Sequence, residues 1–286
     1  MQFQIVRDIT VSELAKGLEL DFRGSGEQSI KLIGSLANAK SSVLTFANKQ
    51  QESRLNGVVI GFEDTNAESL IISKHPRFDF CRALHFLIDS EVLVKIATSS
   101  SIDISAIISE SAVIEDGVRI GKGTIIEHNV TVHQGSVIGA NTIIRANSVI
   151  GAQGFGFEKS AAGSWIRFPH LGQVIIGDNV EIGALNSVCV GTLDDTIIYD
   201  GVKTDNLVHI AHNCQVGKNS ILTACTELSG GVVLGEDVWM GPNSSTMQKV
   251  KIEDSAIVGL GSVVTKNVET GNTVAGVPAR VVRRGK

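Results

Sequence analysis

The sequence predicts a mainly β fold with a small α/β domain at its N-terminus, and three observations lead to this fold class. The first is the composition, because 30 glycines, only 4 prolines and 5% aromatic residues among 286 are typical of short strands joined by tight turns. The second is an apolar residue at every sixth position through most of residues 101–265. The third is the lack of that period in residues 1–100, where strand-like runs alternate with turn residues.

The period of six belongs neither to a helix nor to a flat strand. It runs from Ile102 to Ile150, resumes at Ile176, and after a skip continues from Ile198 to Val264, with Thr204 and Thr246 as its only polar members. Three hexads folded into a triangular coil point three aliphatic side chains inward, and stacked coils bury them against each other. The pattern therefore predicts a left-handed parallel β-helix of hexapeptide repeats.

Short segments rich in Gly, Asn and Asp separate the aliphatic positions, as in IGKGT, IGANT and VGKNS. These residues suit corners at which the backbone needs a positive φ. We expect a small α/β domain in residues 1–100, with a helix near 79–88. A β-helix domain should follow in residues 101–265, with an excursion at 152–174, and residues 266–286 should form a C-terminal coil and basic tail.

The excursion carries a concentration of aromatic residues, namely Phe155, Phe157, Trp165 and Phe168, together with His170. Long ordered loops in compact domains are usually functional, and their aromatic residues often line a ligand site or a subunit contact. We expect one of these two roles, and an excursion without any role is the alternative.

The bulk properties exclude several classes of function. A formal net charge of −5 argues against a nucleic-acid binder, which needs a basic face. No charged-then-apolar leader and no stretch of about 18 apolar residues is seen, so a cytoplasmic protein without a membrane span is expected. The four cysteines lack CxxC spacing and predict buried free thiols rather than disulfides or zinc ligands; they are Cys81, Cys189, Cys214 and Cys225.

The best candidate for chemistry is the polar stretch DNLVHIAHNC at residues 205–214. By register His212 projects near a corner, and Gly230 occupies the equivalent position one coil later. An amine that attacks a thioester must lose a proton, and histidine is suited to accept it. The negative oxygen formed in that attack needs a fixed donor, which the Gly230 N–H could supply. A histidine satisfied at the surface is the alternative interpretation.

An acid beside His212 would fix its tautomer and stabilise the imidazolium. Asp195 is the first candidate, since it lies about one coil below. Asp194 could also reach, and Asp205 is the fallback. Capping a turn is the alternative role for all three.

Residues 151–231, from GAQGFGF through GVKTDNLVHIAHNCQVGKNS to LSGG, closely resemble the UDP-3-O-acylglucosamine N-acyltransferases of lipid A synthesis. SVLTFAN (residues 42–48) and KHPRFDFCRAL (residues 74–84) more weakly resemble the nucleotide-binding domain of that family. The resemblance implies that His212 is the general base and that the Gly230 amide forms the oxyanion hole. It also implies a homotrimer with sites between subunits and an acyl donor as co-substrate, with no permanent cofactor and no metal.

The resemblance further implies an acceptor site. Phe46 and Asn48 match an aromatic residue and an asparagine that hold uracil, whereas Gln51 stands where a second aromatic is expected. Lys249 aligns with a second family histidine, and Cys189-Val190-Gly191 replaces Asp-Arg-Gly. The predicted acceptor residues are Phe46, Asn48, Phe155, Phe157, His170, His209, Asn206 and Lys249.

The segment GNTVAGVPARVVRRGK, residues 271–286, looks like the final coil and tail of coenzyme A-dependent sugar acetyltransferases. Its cluster of Arg280, Arg283, Arg284 and Lys286 could meet phosphates, although a solvated tail is the alternative. The resemblance favours a short-chain acyl-CoA as donor. The predicted donor-binding residues are Gly259, Gly261, Ala275, Pro278, Arg280 and Arg283.

These observations favour an N-acyltransferase that moves a short acyl group from acyl-CoA to the amino group of a nucleotide-diphosphate amino sugar for surface polysaccharide synthesis. The alternative is a UDP-3-O-(3-hydroxyacyl)glucosamine N-acyltransferase of lipid A synthesis that uses acyl carrier protein. Two other classes remain open, a non-catalytic scaffold and a zinc hydratase. The zinc hydratase would use His128, His133, His209 and His212.

Overall fold

The computed structural model describes residues 3–49, 52–96 and 99–285, which divide into two compact units. The first unit is Met1–Ile96 with Gly156–Leu171, and the second is Ala97–Phe155 with Gly172–Lys286. Most of the excursion thus groups with the N-terminal residues, whereas the predicted division placed it with the β-helix. The reason is side-chain packing that the sequence pattern does not show: Phe168 stacks on Phe80, with ring centroids 6.1 Å apart.

A five-stranded sheet forms the centre of the first unit. Its strands, in spatial order, are Phe22–Arg23, Ala67–Ile72, Leu55–Gly61, Val43–Phe46 and Leu32–Ile33. The first pair is antiparallel and the others are parallel. Val58, Val59 and Ile60 are fully buried in succession, as expected of a parallel strand that is covered on both faces.

Helices and shorter ladders complete this unit. Helix α1, Val11–Leu18, begins after Thr10, whose side chain accepts a hydrogen bond from the Glu13 N–H and caps the first turn. A 3₁₀ turn covers Leu36–Asn38, and helix α2, Pro76–Asp89, includes the helix predicted near residues 79–88. Three antiparallel pairs join Phe3–Ile5 to Leu93–Lys95, Ile9–Thr10 to Ser29–Ile30, and Phe157–Lys159 to Trp165–Arg167.

The second unit is a left-handed parallel β-helix whose three faces are sheets of short strands. Among the described residues the first face has eight strands, which are Ser101–Ile102, Arg119–Ile120, Val137–Ile138, Val174–Ile176, Thr196–Ile198, Gln215–Val216, Val233–Leu234 and Lys251–Ile252.

The second face has ten described strands, all parallel except the last: Ile107–Ile108, Ile125–Ile126, Ile143–Ile144, Glu181–Ile182, Lys203–Thr204, Ile221–Leu222, Trp239–Met240, Ile257–Val258, Thr273–Ala275 and Arg280–Arg283. The third face has eight within the same part of the chain: Val113–Ile114, Thr131–Val132, Val149–Ala152, Ser187–Cys189, His209–Ile210, Glu227–Leu228, Ser245–Thr246 and Val263–Val264.

The hexad residues form the core of this unit, as the period of six predicts. From Ile120 to Val264 each is at least 95% buried, and complete burial of one such side chain contributes about 1.5–3 kcal/mol. Ile102 is 45% exposed, because the first coil of the β-helix has a stacked coil on one side only. The two polar members are satisfied by hydrogen bonds: Thr204 Oγ1 bonds Asn186 and the Gly183 N–H, and Thr246 Oγ1 accepts from the Ser229 N–H.

Corners of the coils use left-handed backbone, as expected from the Asn- and Gly-rich segments. Asn129 and Asn147 have φ of 56° and 62°. The same conformation also occurs at Leu207 and Cys225, where the sequence gives no sign of it. Cys225 is exposed at its corner, so the prediction that its thiol is buried is wrong. Cys81, Cys189 and Cys214 are buried and free, as predicted.

In the described part of the chain, neither the length nor the apolarity of any helix is sufficient for crossing a membrane.

Candidate functional site

His212 lies at the corner that joins the third face of the β-helix to the first. The strand His209–Ile210 ends just before it, and Asn213, with φ of 62°, turns the chain into Gln215–Val216. The imidazole is half-buried. The repeat therefore presents this side chain at the outside of the prism while Ile210 remains fully buried in the core.

The orientation of the ring is set by Asn213. Nδ1 of His212 lies 2.9 Å from Oδ1 of Asn213. That oxygen also accepts from the N–H and the hydroxyl of Thr192, at 3.1 and 2.8 Å, and Nδ2 of Asn213 donates to the Asp194 carbonyl at 2.8 Å. An amide oxygen can only accept, so Nδ1 of His212 carries the proton. In the neutral ring Nε2 then has the lone pair that a general base needs.

Gly230 lies directly beside the imidazole. A Cβ atom at this position would come within 2.6 Å of both Cε1 and Nε2 of His212, so only glycine leaves room for the ring as it stands. The Gly230 carbonyl accepts from the Lys249 N–H at 3.0 Å, whereas the Gly230 N–H donates to no described residue. The corner thus places a basic nitrogen beside an available backbone donor.

The acid predicted beside His212 is placed elsewhere. The Asp195 carboxylate accepts from the Gln173 N–H and side chain, at 3.0 and 3.4 Å. The Asp205 carboxylate accepts from the Asn206 N–H at 2.7 Å, which is a turn-capping role. Asn213, which is not an acid, supplies a contact to Nδ1 at 2.9 Å. Its signal in the sequence was the AHN segment itself, where an asparagine at a corner follows the histidine.

Two predicted acceptor residues lie near this corner. Lys249 lies one coil after Gly231, has φ of 63°, and its Cγ lies 3.3 Å from the Cβ position of Gly231. His209 is half-buried on the third face. Asn206 lies at another corner, where its Oδ1 accepts from the Ala184 N–H at 2.8 Å. Phe155 is 90% exposed.

The first unit holds a separate cavity of about 610 Å³. Asn48 lines it, and so do basic side chains at the start of helix α2 and on the excursion hairpin. The full lining is Asn48, Phe62, Lys74, His75, Pro76, Arg77, Phe78, Glu158, Lys159, Ser160 and Ala161. Its mixture of aromatic rings and cations suits a planar base joined to phosphates.

The other acceptor residues predicted in this unit are mainly engaged in packing. Phe46 is half-buried with its ring 4.9 Å from that of Phe80, and the Phe157 ring lies under the Arg167 guanidinium at 4.6 Å. His170 is only 4% exposed, and its Nδ1 lies 2.9 Å from the Phe168 carbonyl oxygen. This contact joins His170 to the Phe168 backbone within the excursion, and its role toward an acceptor stays a prediction. Gln51 lies outside the described residues.

The predicted donor residues fall on the last coil and its hairpin. The Gly259 N–H donates to the Val274 carbonyl at 2.8 Å, and its Cβ position is 3.0 Å from that of Ala275. Gly261, which follows Gly259 closely in sequence, and Pro278, which follows Ala275, are both exposed. Arg280 and Arg283 are exposed on the final strand and form no salt bridge with any described residue. Lys286 is outside the described ranges.

Within residues 3–49, 52–96 and 99–285, no group of three or more His, Cys, Asp or Glu side chains could hold a metal ion. The histidines considered for zinc have separate partners: His128 Nδ1 lies 2.7 Å from Ser109 Oγ, and His133 Nδ1 lies 2.9 Å from Glu115 Oε1.

Comparison with known proteins supports the hexapeptide-repeat fold. A family model described as bacterial transferase hexapeptide (six repeats) matches residues 117–152. The UDP-3-O-acylglucosamine N-acyltransferase of Campylobacter lari is 38% identical over 125 residues, which cover 44% of this chain and 39% of that protein. The enzyme of the same name from Dechloromonas aromatica is 52% identical over 80 residues, covering 28% and 23%.

Among solved structures, the Francisella novicida UDP-N-acetylglucosamine acyltransferase superposes with a TM-score of 0.55 at 26% identity, covering 65% of this chain and 68% of that one. The chain spans about two fifths of the length of the Campylobacter lari relative. From its repeats, its coils and these similarities, the chain is a hexapeptide-repeat protein of left-handed β-helix fold that resembles the UDP-3-O-acylglucosamine N-acyltransferases.

Proposed function

We propose that this protein is a sugar N-acyltransferase that moves an acyl group from a thioester to the amino group of a nucleotide-linked glucosamine. The observation that carries the proposal is the corner at which Nε2 of His212 lies beside Gly230, whose N–H donates to no described residue. A base and an oxyanion donor side by side are the two groups that acyl transfer to an amine needs.

The reaction follows from these two groups. The amine nitrogen attacks the thioester carbonyl carbon, and a C–N bond forms while Nε2 of His212 accepts the proton that the nitrogen loses. The carbonyl oxygen becomes negative and accepts a hydrogen bond from the Gly230 N–H. When the tetrahedral intermediate collapses, the C–S bond breaks, and the leaving thiolate takes the proton from the imidazolium. His212 is then ready for another cycle.

For the acceptor, we propose a UDP-linked 3-O-acylglucosamine, the substrate class in the names of the relatives. The cavity in the first unit supports a nucleotide, because Asn48 offers an amide to a base and Lys74, Arg77 and Lys159 offer charge to a diphosphate. The relatives' names thus favour the lipid A alternative over transfer of a short acyl group from acyl-CoA to an amino sugar for surface polysaccharide.

For the donor, we propose a long-chain 3-hydroxyacyl group on acyl carrier protein, in keeping with that acceptor. Acyl-CoA is the second candidate, because Arg280 and Arg283 are exposed without a salt bridge to any described residue and could bind the phosphates of coenzyme A. A homotrimer in the cytoplasm belongs to the proposal, since a corner on the outside of a prism needs a second wall to enclose two substrates.

An assay with both donors tests the proposal. Purified protein is incubated with UDP-3-O-acylglucosamine and either 3-hydroxyacyl carrier protein or acetyl-CoA, and the products are identified by mass spectrometry. We expect an N-acylated product with the carrier protein. Product from acetyl-CoA alone would select the second donor, and the lack of any N-acylated product with either donor would refute the proposed function.

A further inference from the structure

Glu227 is an acidic residue on the same side of the prism as His212. It lies on the third face, where its strand pairs in register with His209 on one side and with Ser245 on the other. Leu228 is fully buried in the core, so the Glu227 side chain, as its neighbour in the strand, points outward. It is half-buried there.

The Glu227 carboxylate contacts the residue that leads into the corner of His212 and Gly230, which we call the catalytic corner. Its Oε1 accepts from the hydroxyl of Ser229 at 3.0 Å, and Ser229 directly precedes Gly230. An electrostatic effect agrees with this direction: burial raises the pKa of the Cys214 thiol to about 12, and the negative charge of Glu227 adds to the rise. Cys214 directly follows Asn213, the residue that contacts the imidazole.

Glu227 forms no salt bridge with any residue in the described ranges. A half-buried carboxylate has lost part of its hydration, and a cation that reaches it restores favourable interactions. The proposed acceptor carries such a cation, because a free sugar amine is largely protonated as an ammonium group near neutral pH.

We propose that Glu227 binds the amino group of the acceptor and thereby selects an amino sugar over the corresponding hydroxyl sugar. This inference rests on the proposed function and names a specificity residue for it. The carboxylate accepts hydrogen bonds from the ammonium group and holds it at the corner occupied by His212 and Gly230. An ammonium nitrogen has no lone pair, so it releases one proton to solvent before the attack, and the neutral amine then reacts with the thioester as described for the proposed function.

Binding of two nucleotides that differ at one group tests the inference. UDP-glucosamine and UDP-glucose differ in an ammonium or a hydroxyl at one carbon, and isothermal titration calorimetry gives Kd for each. We expect the unmodified protein to bind UDP-glucosamine about 10-fold more tightly, which is about 1.4 kcal/mol. Glu227→Gln keeps the acceptor for Ser229 but removes the charge, so the ratio should fall to about 1 with the Kd for UDP-glucose unchanged.

Glu236→Gln is the matched control, since it removes one negative charge from an exposed side chain on the next turn of the chain. The 10-fold ratio should persist in this variant. If Glu227→Gln also kept the ratio, the inference would be wrong while the proposed function stood. If neither nucleotide bound the unmodified protein, the proposed function and the inference would fail together.

Discussion

The amide oxygen of Asn213 sets which ring nitrogen of His212 carries the proton. Asn213 can serve because its φ of 62° turns its side chain back toward the imidazole, where two Thr192 donors hold Oδ1 in place. Asparagine tolerates left-handed backbone better than most residues. The same property that turns the chain at this corner thus also orients the base.

Replacing Asn213 by glycine should separate its role in turning the chain from its role in orienting the imidazole of His212. Asn213→Gly keeps the positive φ but removes the contact to Nδ1 of His212, so the ring is no longer fixed. We expect kcat to fall about 10- to 100-fold, because small misplacements of catalytic groups cost about this much. The melting temperature should fall as well, since the bonds from Asn213 to Thr192 and to the Asp194 carbonyl are lost. Steady-state kinetics and a thermal melt measure both.

Asn219→Gly is the matched control, since Asn219 also has a positive φ, 58°, and is exposed at another corner. It should leave kcat unchanged. Equal kcat values for Asn213→Gly and the unmodified protein would show that the asparagine has no part in orienting His212.

The cysteines offer a second test at the level of residues. Burial raises the pKa of the Cys81 thiol to about 11 and that of Cys214 to about 12, so both stay protonated and shielded at pH 8. Burial also raises the pKa of Cys189. Only the thiolate reacts with alkylating reagents. We expect iodoacetamide to modify Cys225 alone in the folded protein and all four cysteines in urea. Peptide mass spectrometry measures the modification at each cysteine. Rapid labelling of Cys214 in the folded protein would contradict its buried position.

At several corners the left-handed backbone is held by a residue that does not favour it, and Leu207 is one of these. Leu207 has φ of 62° and is 54% exposed, whereas Asn147 and Asn243 hold comparable φ values with a residue suited to them. Left-handed backbone costs a residue with a Cβ roughly 1–2 kcal/mol, and asparagine recovers part of this by local hydrogen bonding. Leu207 therefore weakens its own corner.

Leu207→Asn should stabilise the β-helix. The backbone hydrogen bond from the Leu207 N–H to the Ala184 carbonyl, 3.0 Å long, does not involve the side chain and is retained. We expect the free energy of unfolding to rise by about 0.5–1 kcal/mol, a part of the roughly 1–2 kcal/mol that left-handed backbone costs, as measured by urea denaturation. A lower free energy of unfolding would mean that the contacts of the Leu207 side chain stabilise the protein by more than the left-handed backbone destabilises it.

Across the whole molecule, the sequence predicts the β-helix well because its core is one-dimensional. Each inward residue, such as Ile144 or Ile210, meets its equivalents one coil away, so a period of six is enough to identify the core. The excursion has no such period. Its membership in the first unit depends on packing between Phe168 and Phe80, residues far apart in sequence, and no local pattern reveals that contact.

The site was predicted in part for the same reason. The register places His212 and Gly230 one coil apart, and the structure brings Gly230 against the ring. The contact between Asn213 and the ring is not predicted, because an acid is the expected partner and the register skip near Asp195 leaves side-chain directions undetermined. Asp195 instead binds Gln173.

The most direct test of the catalytic corner is the turnover of His212→Ala with UDP-3-O-acylglucosamine and its acyl donor. His128→Ala, which removes an exposed histidine, is the control. We expect kcat for His212→Ala to be about 10²- to 10⁴-fold lower, with an unchanged melting temperature and a control that behaves like the unmodified protein. Near-normal turnover by a folded His212→Ala protein would contradict the assignment of this imidazole as the base.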